Sequence, residues 1–212
     1  MTNSANLSFT SRINILSSKA FDKLPKGKPI GFDPFAITPT IIKSDTFNTM
    51  NIRTCTGGGI KSANNNSALG FHLWDACEDI DFSAQLNKIQ NSFQTIDGGL
   101  IIGSKKVEMA ENSIKNFKIV KQTLQKKCRN LSWFQTIKKT LGEVDFIYSK
   151  ADDTWNVKLC EWDCKNKKYK TVNTLKKFLE FFEEISISPN DSLYIGGKEI
   201  TKTNAPAIFR KR

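Results

Sequence analysis

Residues 46–59 read TFNTMNIRTCTGGG, and residues 68–74 read ALGFHLW. The first stretch mixes β-branched, aromatic and small polar residues, and the second is a short, mostly apolar run. Runs of this length are strands more often than helices, because helices usually need about ten residues or more. We therefore predict a strand over 46–56, a glycine turn at 57–59, a loop over 62–67 and a second strand over 68–74. Two strands this close in sequence favour a hairpin.

Beyond this pair of strands, the sequence alternates between helical and strand patterns. Residues 83–95 and 113–128 carry apolar side chains every three or four positions, which predicts two amphipathic helices. A third helix is predicted over 174–185, with Thr174 as its N-cap. Further strands are predicted at 99–103, 134–137, 144–148, 155–162 and 193–195. The sum is an α+β fold: a single compact domain with a central, mostly antiparallel β-sheet or sandwich flanked by two or three helices.

The two ends of the chain differ in composition from its middle. Residues 1–40 are rich in Ser and Asn and carry prolines at 29, 34 and 39. They are predicted to form a loosely held, partly extended N-terminal arm with one short helix near 15–24. Residues 41–165 form the predicted core. Residues 166–212 are predicted to be a helix-plus-strand extension packed on that core.

The composition excludes several classes of protein. Of 212 residues, 39% are hydrophobic and 25% are charged, which is too apolar for a disordered chain. No uncharged apolar run approaches the roughly 20 residues of a membrane-spanning helix, and we expect no cleaved export signal. The net charge of +11 favours acidic partners. Because the basic residues are scattered singly or in pairs, we expect no specific nucleic-acid binding.

The candidate chemistry centres on Cys55 and on the single histidine of the chain, His72. A glycine turn directly after Cys55 would leave the sulfur accessible and offer backbone N–H groups as an oxyanion hole. A hairpin would bring His72 beside the thiol, and a Cys–His pair produces the nucleophilic thiolate, which Arg53 would further stabilise. The alternative from the residues alone is a non-enzymatic basic binding module in which both residues only pack.

The other cysteines and the glycine run carry weaker motifs. The five cysteines are an odd number and, without an export signal, are expected to be reduced thiols. Cys160 and Cys164 have loosely metal-like spacing, but nothing completes a zinc pattern, so we expect no metal site. Gly57–Ser62 departs from phosphate-loop spacing. Cys77 is expected to be a packing residue.

The stretch from Thr49 to Cys55, TMNIRTC, followed by Phe71-His72-Leu73, resembles the catalytic core of CheD-type chemoreceptor glutamine deamidases. The same thiol–imidazole fold occurs in toxin deamidases such as cytotoxic necrotising factor and Burkholderia lethal factor. In this family, a threonine six residues before the cysteine and a histidine 17 residues after it complete a Cys–His–Thr triad. Thr49 and His72 stand at those positions. The resemblance extends over roughly residues 45–160.

The resemblance implies a protein glutamine deamidase without a cofactor. Cys55, as thiolate, would attack the side-chain carboxamide of a glutamine in a protein substrate. His72 would protonate the departing ammonia and then activate the water that cleaves the thioester. Thr49 would orient the imidazole. A cysteine protease and a transglutaminase-like acyl transferase are rival enzymes that use the same dyad.

Two biological settings suit such an enzyme. The length, the Lys- and Asn-rich composition and the extra terminal segments favour a monomeric bacterial effector or toxin that modifies a host protein. We expect it in the bacterial cytoplasm before delivery, and then translocated into the host cytosol without a cleaved signal peptide. The alternative is a chemotaxis enzyme that acts on receptor glutamines.

Overall fold

A computed structural model gives the fold for residues 11–30, 41–62, 67–73, 79–105, 111–128, 130–139 and 141–209. The strands are β1 (Arg12–Ile15), β2 (Lys28–Ile30), β3 (Ile41–Lys43), β4 (Thr46–Ile52), β5 (Thr56–Ser62), β6 (Ser67–Leu73), β7 (Gly98–Lys105), β8 (Leu131–Ile137), β9 (Gly142–Ser149), β10 (Thr154–Asp163), β11 (Lys168–Thr171), β12 (Phe182–Ser186), β13 (Ser192–Ile195) and β14 (Lys198–Ile200). The helices are α1 (Ser18–Phe21), α2 (Asp79–Asn91), α3 (Glu111–Gln125) and α4 (Leu175–Phe181).

The strands form two mixed sheets, in which antiparallel neighbours outnumber parallel ones. Sheet A has the order β14-β13-β1-β10-β9-β4-β2, with β11 paired to β10. Sheet B has the order β12-β8-β7-β5-β6-β3. Apolar side chains from both sheets, among them Phe47 and Trp155 of sheet A and Leu100 and Phe134 of sheet B, share one core. The predicted single α+β domain, with its strands in a sandwich, is confirmed at this level.

A second core lies on the outer face of sheet B, beneath α2 and α3. Strand β7 shows the division, because successive side chains of a strand point to opposite faces. Leu100 and Ile102 enter the core between the sheets, whereas Ile101 packs under the helices. The apolar stripe of α3, including Phe117 and Val120, covers that face. The helical periodicity therefore predicted the existence of both helices and the buried face of α3, but α2 begins at Asp79 and ends at Asn91, four residues earlier at each end than the predicted 83–95.

The three glycines after Cys55 do not form the expected turn. Gly57, Gly58 and Gly59 lie inside β5, which pairs with β6 on one side and β7 on the other. A Cβ at Gly59 would come 2.7 Å from both Phe47 Cζ and Trp155 Cζ3. The missing side chains therefore let the large aromatics of sheet A pack directly against the backbone of sheet B.

The predicted hairpin forms between different strands from those expected. The first predicted strand is divided at residues 53–55, so that β4 belongs to sheet A and β5 to sheet B. It is β5, not β4, that forms the antiparallel pair with β6. The described part of β6 ends at Leu73, and residues 63–66 and 74–78, with the predicted loop, Trp74 and Cys77, lie outside the described residues.

Both chain ends are more integral to the sheets than their composition indicated. The expectation of a loosely held arm is wrong for β1, which pairs in parallel with both β10 and β13, with Ile13 and Ile15 fully buried. Residues 1–10 and 31–40 of the predicted arm lie outside the described residues. Near the other end, β12 joins sheet B and β13 and β14 join sheet A.

The third predicted helix is only half helical. Thr174 caps α4 as expected, its side chain accepting from the Lys177 backbone N–H. The helix ends at Phe181, because Phe182 adopts extended backbone angles (φ −114°, ψ 151°) and opens β12 at the edge of sheet B beside β8. Pairing with a free sheet edge therefore overrides the helical pattern of residues 182–185. None of the helices in the described ranges is long and apolar enough to cross a membrane.

Candidate active site

The polar contact at the heart of the candidate site joins Thr49 and His72. Thr49 Oγ1 lies 2.7 Å from His72 Nδ1, and the two residues are 1% and 3% exposed. Thr49 lies on β4 of sheet A and His72 on β6 of sheet B, so the hydrogen bond spans the space between the sheets. The structure therefore brings together two of the three residues that the sequence indicated.

Cys55 lies immediately before β5, at the end of the segment that crosses from sheet A to sheet B. Two residues later, Gly57 is the register partner of His72. A Cβ at Gly57 would lie 3.5 Å from Thr49 Cγ2, so this face of β5 looks towards Thr49. Cys55, which is 7% exposed, therefore lies two residues before the position of β5 that pairs with His72.

The backbone of Cys55 is held by the end of β7. Its carbonyl oxygen accepts a hydrogen bond from the Ser104 backbone N–H at 3.2 Å. A Cβ at Gly103, where φ is +142°, would come 2.2 Å from that oxygen. Ser104 itself has φ +59°. Only glycine fits the close approach at 103, and backbone strain of this kind is concentrated at functional sites.

The first turn of α3 contacts the peptide just before the thiol. Ser113, the third residue of this helix, donates its hydroxyl to the Thr54 carbonyl and accepts from the Lys105 backbone N–H at 3.1 Å. The N-terminal end of a helix carries partial positive charge. A thiolate at Cys55 would therefore form close to a favourable dipole, which is one of the environments that activate cysteines.

An irregularity in β4 sets the path from Thr49 to the thiol. The register of β4 with β9 shifts between Thr49 and Ile52, and Asn51 has φ +58° with its N–H donating to Asp145 Oδ1 at 2.8 Å. Bulges of this kind re-aim a strand and end its pairing. Here the bulge precedes the departure of the chain from sheet A.

Arg53 is bound to a carboxylate of β9. Its guanidinium makes a salt bridge with Glu143 Oε2, at 2.7 Å from Nη2 and 3.1 Å from Nε. This hydrogen-bonded pair holds the pKa of Arg53 above its usual value. The contact anchors the 53–55 segment to β9. The guanidinium hydrogen-bonds to carboxylate and phenol oxygens, with Tyr169 Oη 3.3 Å from Nη2.

Burial governs the protonation of the imidazole. It lowers the pKa of His72 to about 4, so the ring is neutral at pH 7 and able to accept a proton. Nearby, burial and the adjacent Arg53 guanidinium lower the pKa of Lys105. The site therefore combines a neutral base with positive groups on the neighbouring backbone segments.

The backbone N–H groups of Gly57, Gly58 and Gly59 do not form the expected oxyanion hole. Their strand is paired along both edges, so its backbone N–H groups serve the sheet ladder. Sequence reasoning also missed Ser104 and Ser113. The sequence signal for this region is Gly103, which ends the apolar part of β7. Both serines follow this glycine, where the chain turns towards α3.

Cys160 and Cys164 differ in their surroundings. Burial raises the pKa of the Cys160 thiol to about 11, whereas Cys164 is exposed. Within the described ranges, no group of three or more His, Cys, Asp or Glu side chains is placed to hold a metal ion. Cys77 lies outside those ranges.

No protein-family model matches the chain, and no curated protein matches its sequence. A functional assignment therefore depends on the chemistry of Thr49, Cys55 and His72 and on the groups that surround them.

Proposed function

We propose that the protein is a cysteine-dependent protein glutamine deamidase, with Cys55 as nucleophile, His72 as acid and base, and Thr49 as the residue that orients the imidazole. The observation that carries the proposal is the 2.7 Å contact between Thr49 Oγ1 and His72 Nδ1, in which His72 belongs to the strand paired with β5, and β5 directly follows Cys55. A nucleophile, a base and a third group that orients the base is the general arrangement of activated-nucleophile enzymes.

The proposed reaction has two halves. Neutral His72 takes the proton of the Cys55 thiol, and the resulting thiolate adds to the carboxamide carbon of a glutamine. The tetrahedral intermediate collapses to a thioester as that proton passes from His72 to the departing ammonia. His72 then takes a proton from the water that attacks the thioester, and returns it to the sulfur as glutamate is released. With Nδ1–H donated to Thr49, Nε2 is the nitrogen that exchanges these protons.

Three features of the surroundings support this chemistry. The neutral state of His72 at pH 7 is the state that a general base needs. The first turn of α3 lies beside the Thr54–Cys55 peptide and favours negative charge there. The low exposure of both catalytic groups reduces competition from bulk water.

The proposal is tested by ammonia release combined with mass spectrometry. A eukaryotic lysate and bacterial chemoreceptor fragments are each treated with the wild-type protein, with Cys55→Ser and with Cys164→Ser as a matched exposed control. We expect ammonia and a glutamine-to-glutamate product from the wild type and Cys164→Ser, and neither from Cys55→Ser. Absence of product from all three in both mixtures would contradict the proposal.

The same measurement distinguishes the settings and the rival enzymes. Product in the lysate alone supports a bacterial effector or toxin acting on a host protein, whereas rapid turnover of receptor fragments supports a chemotaxis enzyme. Peptide cleavage would indicate a protease. A larger covalent adduct on the glutamine would indicate an acyl transferase with the same dyad.

A basic binding module is the second candidate function. It is favoured by the burial of both central groups, because Cys55 is 7% and His72 3% exposed, as packing residues are. Under this alternative, Thr49 only satisfies a buried imidazole. The reactivity of Cys55 separates the two functions, as described in the Discussion.

A further inference from the structure

A cleft of about 310 Å³ opens beside the segment that carries Cys55. It is lined by Arg53, Lys105, Leu141, Trp162 and Tyr169. Arg53 is two residues before Cys55, and Lys105 follows Ser104, whose N–H binds the Cys55 carbonyl. Two residues of chain span about 7 Å at most. The cleft is therefore lined from the two backbone segments that meet at Cys55.

One side of the cleft is apolar and exposed. Leu141 is 48% and Tyr169 46% exposed, and they are two of the three large hydrophobic side chains that are exposed in the described ranges. Tyr169 packs edge to face against Trp162, with ring centroids 5.1 Å apart. Exposed apolar side chains that cluster in this way mark binding surfaces.

The lining of the cleft also carries positive charge, from Arg53 and Lys105. The Glu143 carboxylate beside Arg53 already accepts from that guanidinium and from the Tyr169 hydroxyl at 3.3 Å. The Arg53 side chain is 54% exposed. Its Nη1 donors have no hydrogen-bond partner among the residues that the structure describes, and guanidinium donors favour carboxylates.

We propose that this cleft binds a segment of the substrate protein in which an acidic residue and an aromatic or aliphatic residue flank the target glutamine. The inference rests on the proposed deamidase function, because the cleft adjoins its nucleophile. Two features favour a peptide over a nucleic acid. The Glu143 carboxylate would repel backbone phosphates, and Trp162 and Tyr169 pack edge to face against each other instead of forming a platform for stacked bases.

The proposal is tested by binding rather than turnover. Labelled full-length Cys55→Ser protein is applied to an array of peptides with a central glutamine, in which every residue type occupies the two positions on each side. We expect enrichment of Asp or Glu together with Phe, Tyr, Trp or Leu. Replacement of the acidic residue by Lys in the selected peptide should weaken its binding about tenfold, through like-charge repulsion.

Leu141→Glu and Leu179→Glu provide the matched pair of variants. Both positions are exposed, but Leu179 lies on α4 away from the lining of the cleft. In the Cys55→Ser background, Leu141→Glu should weaken peptide binding about tenfold, and Leu179→Glu should leave it unchanged. Equal binding by both variants, no residue preference in the array, or displacement of the peptide by a thymidine oligonucleotide with higher affinity would overturn the proposal.

The two proposals fail in distinguishable ways. If the selected peptide binds through Leu141 but no glutamine is ever converted, the deamidase function fails and the cleft remains a peptide site. If an otherwise wild-type protein deamidates a lysate target equally fast with Leu141→Glu and Leu179→Glu, the function stands and the cleft proposal is overturned. Thermal unfolding of each variant verifies that the fold is intact.

Discussion

Thr49 and His72 are hydrogen-bonded to each other from opposite sheets, with Oγ1 and Nδ1 2.7 Å apart. Both side chains are nearly inaccessible to water. Burial of a hydroxyl and an imidazole is unfavourable unless each is satisfied, so this pair depends on the correct apposition of the sheets. A functional role for the imidazole would explain why a polar pair occupies this position.

Replacement of Thr49 by Val should affect both stability and catalysis. Loss of the hydroxyl leaves His72 Nδ1 without this partner, which we expect to lower the free energy of unfolding by about 1–3 kcal/mol. A misoriented imidazole should also lower kcat for deamidation more than it raises KM. Urea unfolding and steady-state kinetics measure these effects.

Thr49→Ser is the matched control, because it retains the hydroxyl. It should recover most of the catalytic rate, whereas a purely structural Thr49 would give parallel losses of stability and activity in both variants.

The stability of the protein should depend on the protonation of His72. Burial lowers its pKa from 6.5 to about 4, so the unfolded chain binds the proton more readily than the folded protein. The stabilisation is complete above pH 6.5 and is lost as the pH falls towards 4, by about 3 kcal/mol in total. Denaturant unfolding of the wild type and His72→Gln across this range measures the difference.

Asp191 has the opposite dependence, since burial raises its pKa to about 6 and the folded protein gains stability as the pH falls through that value. Both proteins contain Asp191, so its contribution cancels in the comparison. A difference between wild type and His72→Gln that stays constant from pH 7 to pH 4 would show that His72 is not buried in its neutral form.

Cys55 should be alkylated faster than Cys160, although the two are similarly buried at 7% and 4% exposure. Burial raises the pKa of Cys160 to about 11, whereas the proposed role of Cys55 requires a thiolate population at neutral pH. In a Cys164→Ser background, we expect iodoacetamide to modify Cys55 at least about tenfold faster. Peptide mapping by mass spectrometry measures both rates.

His72→Ala should remove this advantage of Cys55. Slow modification of both cysteines at equal rates in the parent protein would instead favour the binding module.

Gly103→Ala should disturb the site directly. The added Cβ would come 2.2 Å from the Cys55 carbonyl oxygen, at a backbone φ of +142° that side chains disfavour. We expect a loss of about 1–3 kcal/mol in the free energy of unfolding, together with slower alkylation of Cys55. Thermal and urea unfolding test the first effect.

Gly142→Ala provides the comparison for that variant, because its Cβ would meet atoms no closer than 3.0 Å. It should be the milder substitution and should leave Cys55 reactivity unchanged. A Gly103→Ala protein with unaltered stability and reactivity would show that the Cys55 carbonyl is not held against β7.

Local patterns in the sequence predicted much of the fold. The periodicity of residues 113–128 predicted α3, and the apolar run ending at Ile102 predicted β7. The helical pattern gave a wrong prediction where a segment pairs as a strand with a distant part of the chain. Phe182 continues an apolar helical stripe, but its extended backbone instead completes the edge of sheet B beside β8.

The glycine run shows the same limit at the candidate site. Three glycines in succession are typical of a turn, and nothing local to Gly57–Gly59 indicates a strand. The need for glycine in this strand comes from Phe47 and Trp155, because their rings occupy the space that a side chain on β5 would need. Thr49 and His72 were indicated by their positions relative to Cys55, but their contact across two sheets has no local signature.

The sequence by itself determined the composition and part of the local structure of this protein: one histidine, five cysteines, a net charge of +11, the faces of two amphipathic helices and about half of the strands. These follow from composition and from periodicity over a few residues. The tertiary structure alone decided that β1 lies between β10 and β13, that Thr49 meets His72, and that Arg53 and Tyr169 share a cleft. These contacts join residues far apart in the chain, and they form only when the burial of two sheets against each other offsets the entropy of closing the intervening loops.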